Sequence, residues 1–156
     1  MKMVFLFFAF LIFETAPICA QEQLEIDNPE YDSVLAKELG ADDYGMKKYV
    51  MAFLKKGPKR SEDKEERAKL QRAHLDNITK LADEGKLVLA GPFFGEGEIR
   101  GIYIFDVQSI QEAKELTSTD PAIRAGSLVM YLKEWYGSAA LLKLKDIYPK
   151  ISKKKI

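Results

Sequence analysis

Residues 47–54, KKYVMAFL, carry apolar side chains on both sides of an extended chain: Tyr49, Met51 and Phe53 on one face, Val50, Ala52 and Leu54 on the other. A strand that borders water on one side alternates polar with apolar, so this one needs cover on both faces. Residues 128–136 repeat the pattern, with Leu128, Met130 and Leu132 opposing Val129, Tyr131 and Trp135. So do residues 99–107, with Ile102 and Ile104 against Tyr103 and Phe105. The chain is thereby restricted to a sheet that is buried twice.

Helices supply the first cover. Leu70, His74, Ile78 and Leu81 recur at intervals of four, four and three, and Leu75, Ile78 and Ala82 continue the band. Ser61 serves as the N-cap, Glu62, Asp63, Glu65 and Glu66 suit the positive end of the helix dipole, and Gly85 ends the helix, which is predicted over about 62–84. A strand at 87–92, a turn at Gly95-Glu96-Gly97 and the strand at 99–107 form a hairpin. Ser109 with Glu112 is a capping box ahead of Ile110, Ala113 and Leu116, a helix to about Thr117. Asp120-Pro121 opens a short helical turn that Gly126 closes, and Gly137 ends the last strand. Strand, helix, strand, strand, helix, strand is the α+β, ferredoxin-like order: a four-stranded antiparallel sheet with two helices on one face. The other face, apolar and bare, is expected to stack on a second copy, giving a homodimer and a dimeric α+β barrel.

Residues 1–20 read as an export signal: Lys2 precedes an apolar run from Met3 to Phe13, and Ile18-Cys19-Ala20 offers a small residue before the cut. Cleavage there places the protein in the periplasm or outside the cell, with no stable membrane insertion; an uncleaved N-terminal anchor is the other reading. It also removes Cys19, the only cysteine, and with it any disulfide, thiol nucleophile or thiolate metal site. Residues 21–45 are a polar extension with a short helix over 31–39 ended by Gly40, residues 46–137 the α+β domain, and 138–156 an amphipathic element with a basic tail at Lys153–Lys155. Lys plus Arg equals Asp plus Glu, at 24 each, so no global field favours nucleic acid. A small molecule is the expected partner beside a second copy of the chain.

Histidine is the side chain that ordinarily trades protons near neutral pH, and His74 is the only one present. It is either an inert, hydrogen-bonded residue at the border of the helix face or the seat of acid/base chemistry. One histidine cannot build a polyhistidine metal site within the chain. Asp120 before Pro121 is what helix capping requires, which leaves a second carboxylate oxygen free for another partner. Arg72 is a solvated helix residue or an anion contact at a pocket mouth; Gly91 and Pro92 bend the chain at a strand end; Phe93 and Phe94 are core or dimer contacts or line a substrate shelf. The sequence contains no phosphate loop, dinucleotide fingerprint or nucleophile elbow.

Arg72-Ala73-His74 on its helix, then Gly85-Lys86-Leu87, Ala90-Gly91-Pro92 and later Asp120-Pro121 with Gly126 together resemble the YciI-like (YCII-related) family, over about 46–136. The resemblance implies a dimeric α+β barrel in which His74 and Asp120 form an acid/base pair; Arg72, Gly91, Pro92 and Phe93 are the candidate substrate-binding residues beside it. It also implies proton transfer on a small unsaturated or aromatic molecule, of the isomerase or lyase (dehydrochlorinase) type, with no metal or organic cofactor. The alternative is an exported binding or scaffold protein whose cleft holds a ligand without turning it over. Ala122 departs from the pattern: family members often carry a bulky aromatic there, so its small side chain reshapes or widens the pocket.

Overall fold

A computed structural model describes residues 28–154; the export signal expected over residues 1–20, residues 21–27 and residues 155–156 lie outside the described residues. Residues from Asp32 onward form one compact unit. Its strands are β1 (Met46–Lys56), β2 (Leu87–Pro92), β3 (Ile99–Phe105) and β4 (Leu128–Ser138). Its helices are α1 (Ser33–Leu39), α2 (Lys64–Asp83), α3 (Ile110–Thr117), α4 (Pro121–Arg124) and α5 (Leu144–Ile151), the last preceded by a 3₁₀ turn over Ala139–Lys143. The sheet is antiparallel throughout in the order β2-β3-β1-β4, the expected ferredoxin-like topology.

One sheet face and the helices make the core. Val50, Ala52 and Leu54 of β1, Tyr103 and Phe105 of β3 and Leu87 of β2 pack with Leu81 of α2 and Ala113 of α3. Burying each of the larger apolar members contributes about 1.5–3 kcal/mol. The helix band read from the sequence lies here, with Leu81 buried and Ile78 packed against the cluster. On the opposite face, Phe53 sits beside Tyr131 and Tyr49 beside Trp135 as cross-strand pairs. Tyr131 and Val129 of that face are exposed in the single chain.

Several boundaries move for local reasons. Helix α2 is capped by Asp63, whose Oδ1 accepts the Glu65 N–H at 2.8 Å, because the Ser61 hydroxyl is taken by the Asp63 N–H at 3.1 Å. Gly85 does end the helix: its φ of 70° lets the Lys86 and Gly85 N–H groups reach back to the Leu81 and Ala82 carbonyls, a Schellman closure. Gly137 does not end β4, which runs on to Ser138 with Gly137 opposite Lys47. The Trp135 ring lies over the bare Cα of Gly137, where a Cβ would come within 2.2 Å of it. The C-terminal element is the 3₁₀ turn followed by α5; the turn packs against α1, β1 and β2, and Lys143 pairs with Glu38 at 2.9 Å.

Candidate functional site

Asp120 is the N-cap of α4, and Pro121 behind it has no N–H to leave unsatisfied in the first turn. Its Oδ1 accepts the Ala122 N–H at 2.8 Å, while Oδ2 lies 2.6 Å from Nδ1 of His74, which α2 carries to the same place. Asp120 is fully buried and His74 nearly so, so the contact is shielded from water. An ionised carboxylate can only accept, so the hydrogen sits on Nδ1 and Nε2 is left as the ring's variable position. The Tyr103 hydroxyl stands 3.2 Å from Nε2, with its ring stacked on the imidazole at a centroid distance of 6.1 Å. Burial first, and the charge of Asp120 second, push the Tyr103 hydroxyl well above the ordinary tyrosine range, so it keeps its proton and can donate it to Nε2.

His74 and Tyr103 border a cavity of about 480 Å³ between α2 and the sheet, in the range of small-molecule sites. Its walls are largely apolar, with Leu54, Leu70, Leu75, Ile78, Ala90 and Leu128 contributing. Gly91, Pro92 and the small side chain of Ala122 line it. The floor depends on Gly101: a Cβ there would stand 2.6 Å from the Gly91 carbonyl oxygen of the neighbouring strand.

Two expected binding residues are elsewhere. Arg72 is on the solvent side of α2, where Nε and Nη2 hold the Asp76 carboxylate one turn on at 3.0 and 2.9 Å, so it does not border the cavity. Phe93 follows the end of β2 and is about half exposed, away from the cavity wall. In their place stand Tyr103, Arg60, Arg67 and Arg100. Arg67 was accessible to spacing, since it precedes His74 by seven residues and so shares its helix face. Alternation alone allows Tyr103 either sheet face, and its pairing with Ala52 puts it on the helix side.

A ferredoxin-like α+β domain with a buried histidine–aspartate pair at the wall of an apolar cavity is the class of protein that fold and site define. Residues 49–136 match the YCII-related domain, and the chain belongs to that family. It is similar to the uncharacterized protein YjpA of Bacillus subtilis (strain 168), 32% identical over 62 residues that make up 40% of this chain and 71% of that one. Among solved structures it is similar to the 5-chloro-2-hydroxyhydroquinone dehydrochlorinase of Burkholderia phenoliruptrix AC1100, in complex with 2,5-dihydroxybenzoquinone. That match has a TM-score of 0.42 and 21% identity, covering 55% of this chain and 92% of the other.

Proposed function

We propose that the protein is a cofactor-independent acid/base enzyme, of the isomerase or lyase (dehydrochlorinase) type, acting on a small unsaturated or aromatic molecule. The observation that carries this is the 2.6 Å contact of Asp120 with His74 Nδ1 at the wall of a cavity, which fixes the ring tautomer and turns the basic nitrogen away from the carboxylate. Nε2 takes a carbon-bound proton, the C–H electron pair moves into the conjugated system, and Asp120 stabilises the imidazolium that forms. In an isomerisation the same proton returns to a different carbon. In an elimination chloride leaves with its electron pair, a C=C bond forms, and the proton passes from His74 to solvent. The Tyr103 contact with Nε2 is long for an O–H donor, so an incoming substrate displaces it at little cost.

The reading extends to assembly and location. The second cover of the sheet is another copy of the chain, seated on the face that carries Met51, Phe53, Ile102, Tyr131 and Val129 in register across β3, β1 and β4. The mature chain begins at about Gln21 and works in the periplasm or outside the cell.

Solvent exchange tests the chemistry. Cyclic dienols, hydroxyquinols and unsaturated lactones incubated with the protein in D₂O should gain deuterium at one carbon position, and His74→Ala should slow this about 10²- to 10⁴-fold with the fold retained. A protein that binds such compounds and exchanges none of their protons is the exported binding protein instead.

A further inference from the structure

We propose that the cavity beside His74 recognises an organic oxyanion, a carboxylate or ionised enol, through Arg60, Arg67 and Arg100. All three border the cavity, and no aspartate or glutamate among the described residues does; Asp120 is wholly covered by its own partners. Among the described residues none of the three is neutralised by a carboxylate. Arg67 Nη1 donates to the Ser61 and Glu62 carbonyls, Arg100 Nη1 donates to the Gly95 carbonyl, and Arg60 makes no ion pair or side-chain hydrogen bond among the described residues. Neutral carbonyls fix where two of the guanidiniums stand and leave their charge unspent. Each guanidinium keeps further N–H donors in the planar fork that suits a two-oxygen anion.

The backbone aims one of them. Leu54 pairs with Gly101 but Lys55 with Ile99, so Arg100 is the extra residue of a β-bulge. Regular alternation would send its side chain with Ile102 and Ile104 to the far side of the sheet; the bulge releases it to border the cavity with Gly101. Apolar walls, three uncompensated cations and a single buried base match a flat molecule with one acidic group. Positive charge so placed would also stabilise the oxyanion that grows when a carbon-bound proton is lost.

That this anion is a substrate rests on the acid/base reading above; that it binds does not. Sodium benzoate and its neutral isostere benzamide are the probes, read by the ring signal of the only histidine of the untagged protein. Benzoate should shift the His74 signal saturably and bind at least about tenfold tighter than benzamide, and raising the salt from about 0.05 to 0.5 M should weaken it. Arg60→Gln, which breaks no hydrogen bond or ion pair among the described residues, should weaken benzoate about 3- to 10-fold and leave benzamide unchanged. The triple variant with Arg67→Gln and Arg100→Gln should abolish the preference. Equal affinity for the two probes, no saturable shift with benzoate, or unaltered benzoate binding by Arg60→Gln would overturn the proposal. Benzoate held through Arg60 by a protein that exchanges no carbon-bound protons would retain the anion site and remove the acid/base reading alone.

Discussion

Replacing Asp120 by asparagine should invert the histidine rather than unfold the protein. Asparagine caps a helix about as well as aspartate, so Oδ1 keeps the Ala122 N–H and the start of α4 is preserved. The side-chain oxygen is then occupied, and the NH₂ group faces Nδ1 of His74. An NH₂ group can only donate, so the hydrogen moves to Nε2, which donates to Tyr103 and can no longer take a proton from a substrate. Trading a charge-assisted hydrogen bond for a neutral one costs about 1–1.5 kcal/mol. For a domain of this size that lowers Tm by about 3–7 °C. Asp120→Ala should cost more, about 2–4 kcal/mol, because it removes the cap and leaves a buried N–H without a partner. The assay is ¹⁵N NMR of the imidazole, unambiguous with one histidine in the chain, beside thermal melts of the three proteins. An Asp120→Asn protein with Nδ1 still protonated, or as unstable as Asp120→Ala, would refute the reasoning.

Other outcomes follow from the fold. Burial, then the charge of Asp106, pushes the Tyr49 hydroxyl up to about 12 from its ordinary 10.0, so the unfolded chain loses that proton first and stability should fall as pH rises from 10 toward 12. Urea melts across this window should show a shallower loss in Tyr49→Phe; an identical slope would remove Tyr49 as the cause. Gly101→Ala must push the edge strand off the Gly91 carbonyl, costing about 1–3 kcal/mol by urea midpoint, and it should also close down the cavity floor. Tyr131→Asp replaces a side chain that is 54% exposed in the single chain and would be almost free in a monomer. Light scattering should instead give about twice the chain mass for the natural protein and dissociation for the variant; a monomer mass for the natural protein would leave the second face of the sheet without its proposed cover.

What the sequence reveals and what it hides divide along a physical line. Periodicity is a local property, so the buried band of α2 and the two-sided strands could be read directly, and the order of elements then left few topologies to choose from. Helix ends were less secure because two capping residues lie two apart: Ser61 and Asp63 both have the right oxygen, and only the three-dimensional turn shows that Ser61 spends its own on the Asp63 N–H. The site had one local half. Asp120-Pro121 announces a cap from sequence, but His74 is 46 residues away, and no spacing rule reaches across that distance; the family resemblance did.

Arg100 is the opposite case, in which the local rule points the wrong way. Strict alternation along β3 puts it on the face away from His74, and one extra backbone residue opposite Leu54–Lys55 reverses that. Gly101, which the close passage of β2 requires to be bare, stands next to the irregularity and is the only nearby hint of it. Arg72 misleads for the converse reason: it sits two residues before the histidine, too close in sequence to share its helix face, and its charge goes to Asp76 one turn along. Polar residues around a helical base are therefore better sought at three, four and seven residues from it than at its neighbours, and by that rule Arg67 is the arginine to pair with His74.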